Sequence, residues 1–175
     1  MRSIFRPLVA ISVLLLAACA TDGLEPAPTR LSGPPALPLV IDGDYQIRKI
    51  LVSLFDPETT DIPTRNEVIL FERSRRIFGA VDSWEISKRF GNTFSIHWKV
   101  RKPSPLTVRL EYRQAGLADF VQAQEFHYPE ARGSGTTRFG VVGDEFLENG
   151  RVTAWRVLLI VDGRIVGFSQ SAMWR

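Results

Sequence analysis

Cysteine is almost missing from this chain. Its 175 residues include one, Cys19, so no disulfide can form within it and the core must rest on apolar packing. Histidine is nearly as scarce, with only His97 and His127. No His/Cys set at zinc spacing therefore exists. Neither sign of charge dominates: 22 basic residues stand against 19 acidic, for a net charge of +3. Loss of an N-terminal segment carrying Arg2 and Arg6 would leave 20 against 19. A balance that close to neutral gives no reason to expect a nucleic acid partner. Long hydrophobic runs are missing too. Leu8 to Leu16 is an apolar run of about nine residues, whereas a helix crossing a bilayer core needs about 20. P-loop, HExxH and GxSxG signatures are absent, and RGSG at 132–135 lacks the glycine spacing and strand-to-helix setting of a nucleophile elbow. The expectation is a chain that is not an enzyme and carries no cofactor.

What is present begins at the N-terminus. Arg2 and Arg6 precede the short apolar run, and small residues follow it. That order is the pattern of a secretory signal peptide. The run ends in Leu16-Ala17-Ala18-Cys19, which resembles the lipobox of bacterial lipoproteins. The resemblance implies that Cys19 receives a diacylglyceryl group, that residues 1–18 are removed, and that the new amino terminus is acylated. Two or more acyl chains would anchor a protein stably without a spanning helix. Ala20, rather than aspartate, follows the cysteine; by the same resemblance the destination is the outer membrane. The plainer alternative is an ordinary signal peptide cut nearby, leaving a free thiol.

Removing residues 1–18 leaves 157 of 175 residues, enough for one domain. With 45% hydrophobic and 23% charged residues, its composition is that of a folded domain rather than a disordered chain. Residues 19–38, with Pro26, Pro28, Pro34, Pro35 and Pro38, read as the lipidated cysteine and an extended tether. Residues 39–65 read as an N-terminal extension that fits a helix or a strand, with the strand preferred. Tyr45, Ile47, Leu51 and Phe55 would form its apolar side. Residues 66–175 read as a β-sandwich domain. Within it, Glu67 to Phe71 reads as a strand, and 83–91 as a short helix capped by Asp82 or Ser83 and stopped near Gly91.

From residue 92 onward the alternation is clear. Phe94, Ile96, Trp98 and Val100 lie on one side of a strand, and Leu106, Val108, Leu110 and Tyr112 on one side of the next. Further runs cover Val121 to Tyr128, Thr136 to Val142, Val152 to Val161 and Arg164 to Trp174. Asp162-Gly163 between the last two is a two-residue hairpin signal. Without a bulge it pairs Val161 with Arg164, Leu159 with Val166, Val157 with Phe168 and Trp155 with Gln170. Trp174 would then lie opposite Arg151 and close the end of the core. The run NTFSIHWKVRKPSPLTVRLEYRQAG (92–116), together with 136–163, resembles a fibronectin type III or immunoglobulin-like sandwich. That resemblance implies an all-β fold with Trp98 as the core tryptophan, although Trp155 stands where the family usually has tyrosine. It also implies that 92–100 and 106–113 belong to different sheets.

Candidate functional residues are few. Arg73, Arg75 and Arg76 form a basic cluster suited to anionic lipid or polysaccharide, and Trp84 is a candidate for stacking on a sugar or other ligand. Glu125 and His127 share one side of a strand and could hold a water or a metal. His97 points outward on its strand, and Asp42 and Asp44 fit a turn better than a calcium site. Cys19 is the expected lipidation site. Three readings stay open: a membrane-anchored, non-catalytic structural or protein-interaction module of the cell envelope; a carbohydrate-binding module there; and an enzyme with an unrecognised site. The partners implied are the membrane, through the lipid, and an envelope protein or polysaccharide.

Overall fold

A computed structural model describes residues 27–57 and 63–175. The lipobox, Cys19 and the first part of the expected tether lie outside the described residues. In chain order the elements are strands β1 (Thr29–Ser32) and β2 (Tyr45–Phe55) and helices α1 (Glu67–Ile77) and α2 (Ser83–Ser87). The long strands β3 (Gly91–Gln114) and β4 (Gln122–Val142) follow, separated by a 3₁₀ turn at Ala115–Leu117. Last come α3 (Asp144–Asn149), β5 (Val152–Val161) and β6 (Arg164–Gln170). The fold is all-β: one antiparallel six-stranded sheet in the order β1-β4-β3-β5-β6, with β2 also paired to β3.

β3 and β4 organise everything else. The first half of β3 pairs with β2 on one side and with the second half of β4 on the other. Its second half pairs with β5 and with the first half of β4. Register shifts between Val100 and Leu106, where Pro103 and Pro105 lie, separate the two halves. Inward residues of both halves join one core: Phe94, Ile96, Trp98 and Val100 from the first, Leu106, Val108, Leu110 and Tyr112 from the second. The two layers of the sandwich are thus halves of one bent sheet. The segments 92–100 and 106–113, expected as strands of different sheets, are two parts of a single strand.

The alternation that marked these strands also explains their packing. Trp98 is buried and donates Nε1 to Thr137 Oγ1 at 2.9 Å, and Thr137 is 2.8 Å from the Tyr128 hydroxyl. The outward side of the second half is less ordinary. Arg109 is paired with Glu125 and Glu111, and Glu111, only 1% exposed, accepts from Arg156 Nε at 2.8 Å. Pairing on both sides is what makes a buried carboxylate there tolerable.

Several expectations change. The tether does not stay free of the domain: β1 lies within it and pairs with Gln122–Glu125 of β4. Beyond β1, Arg109 Nη1 reaches the Pro35 carbonyl, and Leu37 packs on Leu158, Ile160 and Ile165. Pro38 and Val40 bond to both backbone groups of Ile165. Proline suits this edge path because it need not donate to a ladder. The stretch 39–65 contributes β2, a full member of the sheet. Its inward side includes Ile50 rather than Leu51, because the register shifts at Arg48.

Residues 67–71, expected as a strand, begin helix α1. The Asn66 side chain accepts from Val68 N and Ile69 N and caps that helix. The short helix at 83–87 is as expected, with Asp82 as its cap. The Asp162-Gly163 turn also forms, with φ of 47° and 70°. Its register holds for two pairs and then slips by one: Leu159 faces Gly167, and Leu158 faces Phe168. Val166 stays in the main core and Ile165 in the second cluster, on opposite sides of the strand, while the bulge moves Phe168 opposite Leu158, where it is exposed. Trp174 consequently does not meet Arg151. A turn from Ser171 carries its ring onto Arg113 and Arg156, with guanidinium-to-ring distances of 5.0 and 4.9 Å.

Candidate functional site

Between β2 and β3 the chain leaves the sheet. This excursion, residues 63–90, carries α1 and α2. Local polar bonds set its shape. Asn66 caps α1, Glu67 lies in its first turn, and Arg75 and Arg76 lie in its last, each charge complementing the helix dipole. Asp82 accepts from Glu85 N at 2.8 Å while Glu85 accepts from Val81 N at 2.6 Å, an exchange akin to a capping box. Arg89 then ties the two helices together by donating to the Arg76 and Phe78 carbonyls at 2.8 and 2.7 Å.

Apolar packing contributes little to that shape. Neither α1 nor α2 buries a residue. Val68, Ile69, Leu70 and Phe71 are consecutive, so they spread around the helix instead of forming one inward stripe. All four are exposed, as are Phe78, Val81 and Trp84 beyond them.

Where the excursion meets the sheet there is a pocket of about 350 Å³. Phe55 and Val142 give it apolar walls, Ser53 and Thr93 supply hydroxyls, and Arg76, Lys88 and Arg89 supply positive charge. Arg76 donates to Leu54 O at 2.8 Å and to Ser53 Oγ at 3.0 Å, with its guanidinium 5.5 Å from the Phe55 ring centroid. Lys88 pairs with Asp144 and sits 5.0 Å from the Trp84 ring centroid. The arrangement is an apolar cleft whose three rim cations are each held by protein groups: Arg76 by β2, Lys88 by Asp144, and Arg89 by the Arg76 and Phe78 carbonyls.

The residues singled out from sequence divide clearly. Arg73, Arg75, Arg76 and Trp84 all belong to this excursion. Arg75 pairs with Glu72 at 3.0 Å, and Trp84 is 65% exposed. Phe78, Val81, Lys88 and Arg89 belong with them and were missed. The signal was available in the density of apolar and basic residues around Trp84. Glu125 and His127 do not act together: Glu125 pairs with Arg109, and His127 Nδ1 lies 3.1 Å from Thr107 Oγ1. His97 is engaged likewise with Thr136 at 2.9 Å. Asp42 accepts from Asp44 N at 2.9 Å, a turn contact, and Asp44 faces Arg101 and Lys102.

Elsewhere, Tyr112 donates to Glu145, which also pairs with Arg30 of β1. Burial first, and the Glu145 carboxylate second, hold the phenol above its ordinary range. The proton therefore stays on Tyr112, and the trio joins β1, β3 and α3. In comparisons with known proteins, no family model, no curated protein and no solved structure matches this chain.

Proposed function

We propose that the chain is a bacterial envelope lipoprotein, held by acyl chains on Cys19 and serving as a non-catalytic interaction or structural module. The observation that carries this reading is the order of the N-terminal residues: two arginines, a short apolar run, then Leu16-Ala17-Ala18-Cys19. Residues 1–18 are the signal peptide in this account, and Ala20 directs the protein to the outer membrane. Among the described residues no helix is long and apolar enough to cross a membrane, so the acyl chains supply the attachment in this proposal.

The β domain supplies the module. Its bent sheet is a rigid base, and the α1–α2 excursion is the surface through which it meets something else. The carbohydrate-binding alternative has less support. Trp98 is a core residue, Trp174 is covered by two arginines, and Trp84 alone among the described tryptophans is widely exposed. Cell fractionation of Cys19→Ser tests the reading: the variant is expected to leave the membrane fraction or to accumulate as the precursor. A Cys19→Ser protein that is processed and membrane-bound like the wild type would refute it.

A further inference from the structure

We propose that the α1–α2 excursion is a second, non-covalent membrane contact. Phe78, Val81 and Trp84 enter the interface of a bilayer rich in anionic phospholipid, and the basic residues of the same excursion meet its headgroups.

Exposed apolar surface is unevenly distributed over the described residues. Single exposed apolar residues are ordinary on any protein; clustered ones are not. Seven large apolar residues among those described are more than 60% exposed, and five of them (Val68, Phe71, Phe78, Val81 and Trp84) fall between residues 68 and 84. Phe78 and Val81, in the turn between the helices, are exposed to 83% and 90%. These side chains do not build the domain core, since α1 and α2 bury none of their residues. Caps and the Arg89 bridge hold the excursion in shape, so its apolar groups are presented by a fixed scaffold.

Charge selects the occupant. Residues 65–89 contain six basic residues, Arg65, Arg73, Arg75, Arg76, Lys88 and Arg89, against four acidic ones. The surplus is two positive charges, although Arg75 pairs with Glu72, Lys88 with Asp144 of α3, and Arg76 and Arg89 donate to protein carbonyls. Exposed apolar residues with a basic surround are what an anionic bilayer surface attracts. Tryptophan favours the headgroup level, where its ring is in apolar surroundings and its N–H is wet. Lys88, paired with Asp144, lies beside the Trp84 ring. A second copy of the chain is a poorer fit, because a two-fold contact would set this positive surplus against itself. Polysaccharide, dense in hydroxyls, offers too little apolar surface to take the aliphatic and phenyl groups of Val68, Val81 and Phe78 out of water.

This contact does not depend on acylation of Cys19, and the test separates the two. Full-length protein is reconstituted into vesicles with brominated acyl chains, made either of phosphatidylglycerol with phosphatidylethanolamine or of phosphatidylcholine alone. Flotation reads attachment of the chain by any route. Tryptophan quenching, as the difference between wild type and Trp84→Phe, reads residue 84 alone. We expect bromine to quench the Trp84 signal at least several-fold more on the anionic vesicles. We also expect Phe78→Asp with Val81→Asp to abolish that difference while flotation persists. Flotation with Trp84 unquenched by bromine and open to iodide in the buffer would overturn the contact and leave the anchor intact. Equal quenching on both lipids would overturn the role of charge. Concentration-dependent shielding of Trp84 without lipid would replace the bilayer with a second copy.

Discussion

The indole of Trp98 lies against Gly135 on the neighbouring strand, so closely that a Cβ on residue 135 would fall 2.3 Å from its Cζ2. The ring cannot retreat easily, because its Nε1 is bonded to Thr137 and Tyr128 packs against it at 5.2 Å between centroids. Glycine here makes room for the largest side chain of the core. Gly135→Ala should therefore destabilise the domain by about 1–3 kcal/mol, the usual cost of overpacking. A denaturation midpoint equal to the wild type would mean that Trp98 is not where this account puts it.

Trp174 should also matter for stability, though not as a plug for the sandwich. Its ring covers Arg113 and Arg156, and Arg156 in turn holds the buried Glu111. Trp174→Ala is expected to cost about 3–5 kcal/mol, as for other buried aromatics. Trp84→Ala, at an exposed position, should stay within about 0.5 kcal/mol. Chemical denaturation of the two variants side by side checks both values. Equal midpoints would contradict the assignment.

Tyr112 gives a pH prediction with a definite sign. Its folded phenol holds its proton at pH values where the unfolded chain, with an ordinary pKa of 10.0, loses it. The stabilisation is full below that unfolded value and is lost as pH rises above it. Between about pH 9 and about pH 11 the wild type should lose more stability than Tyr112→Phe does. The difference in tyrosinate absorbance between folded wild type and Tyr112→Phe should show Tyr112 keeping its proton above its ordinary range. A Tyr112 that ionises near its ordinary value of 10.0 in the folded state would reject the buried Tyr112–Glu145 contact.

These residues also show which parts of the fold were legible in the sequence. The even-numbered apolar positions from Phe94 to Tyr112 face inward, as their alternation requires, and Asp162-Gly163 makes its turn. The bulge after it was harder to read. Gly167 is its local mark: the slip seats this glycine, rather than Val166, opposite Leu159. Helix α1 reads as a strand because Val68 to Phe71 is a short unbroken apolar run, and such runs carry no period. Its helical state follows from the Asn66 cap just upstream. The proline-rich segment looked like a tether because Leu37 and Pro35 have no periodic neighbours. Their roles arise only from contacts with residues more than 70 positions away. For the candidate site, the individual residues Arg76 and Trp84 could be picked out. Their common excursion could not, since it depends on α1 being a helix.

The central claim is that this β domain is delivered to a membrane on an acylated Cys19. Intact-mass spectrometry of the protein recovered from the membrane fraction tests it most directly. The account predicts a polypeptide beginning at Cys19, heavier than its sequence by a diacylglyceryl thioether and an amide-linked acyl chain. A protein that keeps residues 1–18, or that carries an unmodified Cys19 thiol, would contradict it.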